Sequence, residues 1–150
     1  MSNLIVPDVA KIPFMKRAVA VAGYGFAVPT KLRLLKASIT VNNALTRATC
    51  ISNEADFSGY PAGGSSLTSA AVAASLDGSG RSVASWAALT FTKSGATGNT
   101  IYGYWVDDNT AGTPELLWAE IFDSPVVLTT DGTFLILVPQ FTGKSQFLNT

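Results

Sequence analysis

The stretch from Thr100 to Phe122 constrains the fold most, because it places two apolar, aromatic-rich runs on either side of a polar connector. The first run covers residues 101–106, the second covers residues 116–122, and Gly112-Thr113-Pro114 lies between them. Two such runs separated by turn residues are typical of a β-hairpin, here with a long loop. The stretch holds two of the three tryptophans, and aromatic side chains bury the most apolar area. It therefore predicts the centre of the core.

The rest of the chain consists mainly of short runs with strand character, separated by turn signals. Alternation or β-rich composition predicts strands over residues 31–36, 49–51, 67–76, 81–92 and 133–141. The run 133–141 is apolar on both of its faces. Many short strands with regular turns predict an all-β fold, a β-sandwich or jelly roll of about seven to eight strands.

Connecting segments are marked by glycine, proline and aspartate. Residues 55–64 contain three glycines and a proline and predict a loop held in place by its aromatic residues, Phe57 and Tyr60. Asp123-Ser124-Pro125 is expected to break the second hairpin strand before extended structure resumes at residues 126–129, and Thr130-Asp131-Gly132 is expected to be a hairpin turn. The apolar positions expected in the core are Leu34, Val83, Leu89, Phe91, Trp105, Leu117, Ile121, Ile136 and Val138.

The N-terminal residues differ from the rest, since they mix apolar and basic side chains. Residues 1–22 predict an arm with one short helix from about Pro13 to Ala20, because a proline is tolerated in the first turn of a helix. Residues 23–150 predict a single β-sandwich domain, since the whole chain has the length of one ordinary domain.

Composition indicates that part of the surface is covered by assembly. Charged residues make up 13% of the chain and apolar residues 47%, which is poor in charge for a soluble monomer. Residues 101–106 and 133–141 also lack a polar face, so a long loop such as 55–64, the N-terminal helix or another subunit must cover them. We expect mainly another subunit, which predicts a homo-oligomer, and we take a trimer as its form.

The charges are unevenly divided along the chain. Residues 1–50 carry seven basic side chains against one acid, whereas residues 51–150 carry three against nine. Either this division favours contact between unlike surfaces of two molecules, or folding mixes the halves and cancels the field. The basic residues are spread out, which argues against nucleic-acid binding. No apolar run is long enough for a membrane-spanning helix.

No constellation of residues indicates catalysis. The chain has no histidine and a single cysteine, Cys50, so a histidine-based triad and a cysteine-based zinc site are excluded. The carboxylates Glu115 and Glu120 are five residues apart and face opposite ways on one strand, while Asp107 and Asp108 are expected in a turn. Calcium binding by these aspartates and sugar stacking by the tryptophans are weaker alternatives. We expect no enzymatic activity, no cofactor and no metal.

The order of motifs resembles that of small virion proteins of tailed bacteriophages. The resemblance lies in EADFSGYPAG at residues 54–63, TIYGYWVDD at residues 100–108 and ELLWAEIFDSPVV at residues 115–127, and it spans residues 4–142. In that family an acidic-aromatic loop precedes a YGYxVxD strand and an LLWAExF strand. The resemblance implies a structural part of a phage particle, assembled in the bacterial cytoplasm and present in several copies.

Two functions fit this resemblance. A capsid decoration, or cement, protein binds the major capsid protein and stabilises the shell, whereas a tail-fibre, baseplate or receptor-binding component binds host-surface glycans. We favour the first, because the chain has neither heptads nor shaft repeats. The N-terminal arm is expected to dock onto a neighbouring subunit or the particle through apolar and basic side chains, namely Ile5, Val9, Ile12, Phe14, Lys16 and Arg17.

Overall fold

The computed structural model describes residues 3–5, 30–67, 73–76, 82–108, 114–137 and 140–142. Within this part, one six-residue helix, α1 (Arg47–Ser52), accompanies ten strands. In chain order the strands are β1 (Asn3–Ile5), β2 (Thr30–Leu35), β3 (Ser65–Leu67), β4 (Ala73–Leu76), β5 (Ser82–Ser85), β6 (Leu89–Thr92), β7 (Asn99–Asp108), β8 (Glu115–Leu128), β9 (Phe134–Leu137) and β10 (Gln140–Thr142). The predicted all-β class is confirmed.

The strands form one large and two small antiparallel sheets. The main sheet has the order β1-β8-β7-β2-β3, a second sheet has the order β10-β5-β4, and β6 pairs with β9 as a two-stranded ribbon. The hairpin predicted from Thr100 to Phe122 is confirmed as β7 and β8, which lie in the middle of the main sheet. Gly103 lies where these strands approach closely, since a Cβ built on it would lie 2.1 Å from Glu120 O.

The pairing of β7 with β8 contains two irregularities. Ile101 pairs with Val126 and Gly103 with Ile121, so Tyr102 lies opposite residues 122–125. Asp123-Ser124-Pro125 therefore interrupts the pairing of β8 with β7, so the predicted break before extended structure resumes is confirmed, although β8 itself does not end there. Backbone pairing resumes after it at residues 126–128, which keeps β8 continuous.

The turn at Thr130-Asp131-Gly132 is present, with Gly132 at φ 81° and Thr133 N donating to Thr130 O at 3.1 Å. It does not close a hairpin, because it leads from β8 in the main sheet to β9 in the ribbon. The second irregularity in the β7–β8 pairing lies between Val106 and Asp107. It leaves Leu117 as an extra residue, so that Leu117 and Trp118 both enter the same side of the core.

The main sheet is buried on both faces by side chains that alternate along its strands. Leu34 and Tyr104 enter one cluster, to which the ribbon contributes Phe91 and Leu135. Leu35 follows Leu34 in the sequence and Trp105 follows Tyr104, and both enter the other cluster. The loop prediction is confirmed on the first side, where buried Phe57 packs with Tyr60, the ring centroids lying 5.4 Å apart.

The second face of the main sheet is covered by the chain itself, and not by another subunit as expected. Leu45 and Cys50 are buried there, with Ile39 and Val41 packed beside them. The covering segment includes α1, so the predicted strand over residues 49–51 is wrong. Thr46 explains the helix, because its side chain caps the N-terminus by accepting a hydrogen bond from Thr49 N at 3.2 Å.

Five further predictions are corrected or lie outside the described residues. The predicted strand over residues 81–92 is interrupted at residues 86–88, giving β5 and β6 in different sheets. Ile136 was expected in the core and is 53% exposed, because the alternation of β9 turns Leu135 inward instead. The predicted helix at Pro13–Ala20, the Val83 side chain and Val138 lie outside what the structure describes.

The other expected core residues lie in or against the core. Leu34, Phe91, Trp105 and Leu117 are buried, while Leu89 and Ile121 are partly buried and pack against the clusters.

Candidate functional site

The two-stranded ribbon presents an apolar surface to solvent. Its register pairs Thr90 with Ile136 and Thr92 with Phe134, so these four side chains share one face. Phe134 is 60% exposed and Ile136 is 53% exposed, and both threonines are exposed as well. We call these four residues the ribbon face. Strand alternation is the cause, because it points Phe91 and Leu135 inward and leaves their neighbours outside.

The ribbon face carries no charge. None of the eight residues of β6 and β9 is ionisable, and the next residue after β6, Lys93, is only 3% exposed. The Lys93 ammonium donates to Gly95 O and lies 3.1 Å from Asp131 Oδ1. Gly95 N donates to the same oxygen at 2.5 Å, and this bond together with Lys93 lowers the pKa of Asp131. The two charges at the end of the ribbon, Lys93 and Asp131, are therefore paired with each other.

Backbone hydrogen bonds fix the ribbon to neighbouring loops. Lys93 N donates to Thr133 O at 2.9 Å, and Gly132 N donates to Lys93 O at 3.0 Å. The loop that contains Ser58 is bonded to the same end of the ribbon, since Ser94 N donates to Ser58 O at 2.7 Å. With Phe91 and Leu135 anchored in the core beneath, these bonds hold the exposed side chains on a rigid support.

Two other large apolar side chains are exposed among the described residues, Val127 at 57% and Ile51 at 43%. Each lies on an element whose neighbouring exposed positions are polar or small, such as Ser52 and Ser124. The ribbon face differs from both, because it presents Phe134 and Ile136 together on one strand.

A buried ionic cluster lies on the opposite side of the main sheet. Asp107 is fully buried, and its Oδ2 accepts from Arg47 Nη2 at 2.9 Å and Nε at 3.1 Å. Arg33 Nη2 lies 3.3 Å from the same oxygen, while Arg33 Nη1 donates to Glu54 Oε2 at 3.0 Å. Both guanidinium groups lie over the Trp105 ring, 5.0 and 5.8 Å from its centroid.

In the described part, this ionic cluster brings side chains of the basic half of the chain together with side chains of the acidic half. Arg33 and Arg47 come from the basic half, whereas Glu54 and Asp107 come from the acidic half. Lys36 adds an exposed pair of the same kind with Asp56 at 2.6 Å. Folding thus mixes the two halves, which supports the second of the two interpretations of the charge division.

Three of the four carboxylates weighed for catalysis, Asp107, Asp108 and Glu120, are buried or hydrogen-bonded. Asp107 and Asp108 are buried as the last residues of β7, so the prediction that they lie in a turn is wrong. Glu120 accepts from Tyr104 Oη at 2.5 Å. Burial is the main reason that the pKa of Tyr104 is raised, and burial likewise raises the pKa of the Cys50 thiol to about 12. A thiol with so high a pKa is a poor nucleophile at neutral pH.

Pockets and metal ligands give no better candidate in the described ranges. One open depression of about 220 Å³ is lined by Thr46, Arg47, Pro114, Glu115 and Leu116. Its charged side chains have opposite signs, and Arg47 is already bound to Asp107. No group of three potential metal-ligating side chains occurs among the described residues. No helix in the part described has the length and apolar character needed to cross a membrane.

The sequence-predicted interface is only partly within the described residues. Ile5 lies in β1, which pairs with the edge of β8 so that Ile5 is opposite Ala119. Val9, Ile12, Phe14, Lys16 and Arg17 lie outside the described residues. The ribbon face was missed as a site, although its signal was present in the two apolar faces of residues 133–141. Which face would be exposed depended on the pairing of β9 with β6.

No protein-family model matches the chain, and comparisons with curated proteins and with solved structures find no match either.

Proposed function

We propose that the chain is a structural protein of a bacteriophage particle, a capsid decoration protein that binds and stabilises the assembled shell. The observation that carries the proposal is the ribbon face, where Phe134 and Ile136 expose more than half of their surface on a rigid, uncharged support. Exposed apolar groups of this kind mark surfaces that bind other proteins, as the parts of an assembled particle bind each other. The motif resemblance described above is the reason for naming a bacteriophage particle as the assembly.

The proposed architecture is a β-sandwich or jelly roll formed by residues 23–150 together with β1, which the structure pairs with β8, and the remainder of residues 1–22 forms an arm. Support comes from the first core cluster, in which Phe91 and Leu135 of the ribbon meet Leu34 and Tyr104 of the main sheet. Side chains from two β-layers interdigitate in such a core. A decoration protein with this architecture binds through its surface, and no cofactor is proposed.

The proposed partners are other copies of the chain, as a homotrimer, and the major capsid protein or another virion protein. Low charge content supports both contacts, because little desolvation of ions is needed when such surfaces meet. Neither nucleic acid nor a membrane is among the proposed partners, and no enzymatic activity is proposed. The proposed location is the virion, after assembly in the bacterial cytoplasm.

The alternative is a tail-fibre, baseplate or receptor-binding component that binds glycans. Sugar rings stack on exposed aromatic faces, yet Trp105 and Trp118 expose 0% and 2% of their surfaces. Trp86 is half-buried and tilted against Trp118, with the ring centroids 5.6 Å apart. Trp86 is the one tryptophan that retains an accessible surface for this function, so the decoration function is the better supported.

The proposal is tested with particles of the phage that encodes the chain, prepared without it by deleting its gene. Purified protein is mixed with these particles, with isolated tails, with particles disassembled into subunits and with a glycan array. Decoration predicts saturable co-sedimentation with assembled shells and no glycan binding. Binding to glycans, or to tails alone, would replace this function with the alternative.

A further inference from the structure

We propose that the ribbon face is the surface through which copies of this chain contact each other, with Phe134 and Ile136 at the centre of the contact. The inference deepens the proposed function, on which it rests for the expectation of several copies. It names the surface, and it names another copy of the chain as the occupant.

Charge is the reason for choosing a second copy as the occupant. Around a rotation axis, every residue near the axis meets its own equivalent from the other copies, so a charged side chain there meets a like charge. The ribbon face avoids this repulsion, because neither β6 nor β9 contains an ionisable residue. The adjoining charges at the end of the ribbon, Lys93 and Asp131, are paired at 3.1 Å. Copies of this uncharged surface can therefore meet without like-charge repulsion in either a two-fold or a three-fold assembly.

The chemistry of the ribbon face also fits the centre of a protein interface. Phe134 and Ile136 supply apolar area. The β-branched residues Thr92 and Thr90 lie beside them on the paired strand. The backbone beneath is fixed by hydrogen bonds from Lys93 N to Thr133 O and from Gly132 N to Lys93 O. Little conformational freedom remains to be lost on association, which favours binding.

The size of the ribbon face limits its role to that of a central anchor. A stable interface buries about 800 Å² on each partner, far more than two side chains provide. A few buried side chains nevertheless supply most of the binding free energy in such interfaces. Substituting both should therefore weaken association strongly even though the rim remains.

The experiment compares the full-length protein with the double variant Phe134→Thr/Ile136→Thr by sedimentation velocity over a dilution series. Threonine suits an exposed strand position, so the fold should be retained. We expect an oligomer for the unchanged protein and at least about tenfold weaker association for each side chain removed. Val127→Thr is the matched control, because Val127 is 57% exposed on another strand, and it should associate normally.

A second readout uses Thr92→Cys, with Ser124→Cys as a control at an exposed position of β8. The native Cys50 is buried and should not react. Under mild oxidation, Thr92→Cys should form disulfide-linked pairs of chains far faster than Ser124→Cys, because equivalent residues meet at the axis. Circular dichroism checks that every variant remains folded.

A monomeric unchanged protein, normal association of the double variant, or equal crosslinking of the two cysteine variants would each overturn the ribbon-face contact. Shell binding by the unchanged protein would still stand as evidence for decoration in these cases. Conversely, a ribbon-dependent oligomer that binds no shell would support the contact and remove the proposed function.

Discussion

Arg47 and Asp107 lie 60 residues apart in the chain, and their side chains form an ion pair with Nη2 2.9 Å from Oδ2. The pair joins the first residue of α1 to β7, and thereby fixes the covering segment onto the main sheet. Because Asp107 is fully buried while Arg47 retains 25% side-chain exposure, the carboxylate depends on its arginine partners for neutralisation.

Replacing Asp107 by alanine should destabilise the protein by about 3–5 kcal/mol, because Arg33 and Arg47 would lose their shared buried partner. Urea unfolding followed by tryptophan fluorescence measures the free energy of unfolding. Asp56→Ala is the control, since its pair with Lys36 is exposed and should contribute no more than about 1 kcal/mol. Equal losses for the two variants would contradict the role assigned to the buried cluster.

Gly103→Ala should destabilise the central hairpin by about 1–3 kcal/mol, the usual cost of overpacking. The added Cβ would lie 2.1 Å from Glu120 O and 3.0 Å from Ile121 Cα, and backbone atoms of a central strand cannot move aside easily. The measurement is the thermal midpoint. Gly63→Ala serves for comparison, because its added Cβ would meet only an arginine side-chain atom at 3.7 Å, although its φ of 79° adds strain. A smaller loss at Gly103 than at Gly63 would refute this account.

The Asp131 carboxylate should stabilise the ribbon end in a pH-dependent way. Hydrogen bonding by Gly95 N and the nearby Lys93 lower its pKa in the folded state, so its contribution is present at neutral pH. It should decline once the pH falls below about 4, as the folded carboxylate takes up a proton. Thermal midpoints of Asp131→Ala and the unchanged protein should therefore differ at pH 7 and converge in acid.

Asp131→Asn separates the two causes, because the amide oxygen can still accept from Gly95 N while the charge is lost. We expect Asp131→Asn to fall between alanine and the unchanged protein at pH 7. A difference between Asp131→Ala and the unchanged protein that grows on acidification would contradict the sign of the pKa shift.

Local patterns in the sequence were sufficient for the β-class, the central hairpin and the loop held by Phe57 and Tyr60. They failed where a helix cap with a buried cysteine, or the long-range pairing of strands, determined the outcome. Residues 49–51 have strand-like composition, yet the Thr46 cap and the burial of Cys50 favour a helix. Ile136 looks like a core residue until the register of β9 with β6 turns it outward.

The candidate site divides in the same way. The two apolar faces of residues 133–141 were visible in the sequence, and so was the scarcity of charge. The ionic cluster was not visible in the sequence, because Arg33 meets Trp105 only through the pairing of β2 with β7.

The N-terminal arm gives a separate prediction about attachment to the particle. Substituting Val9, Ile12 and Phe14 by serine should weaken shell binding, because apolar burial by the arm would be lost. These changes leave β1 and its pairing with β8 in place. Shell binding and thermal unfolding are measured side by side on the full-length variant. Normal binding with a lowered thermal midpoint would instead make the arm a cover for its own domain.

The central claim is tested most directly by the heat resistance of particles with and without the chain. Particles lacking it are heated in a temperature series, with and without added purified protein, and release of DNA is followed with an intercalating dye. A decoration protein should raise the temperature of release, and the Phe134→Thr/Ile136→Thr variant should restore less of this resistance than Val127→Thr. Identical release temperatures with and without the unchanged protein, at concentrations that saturate binding, would contradict a stabilising role.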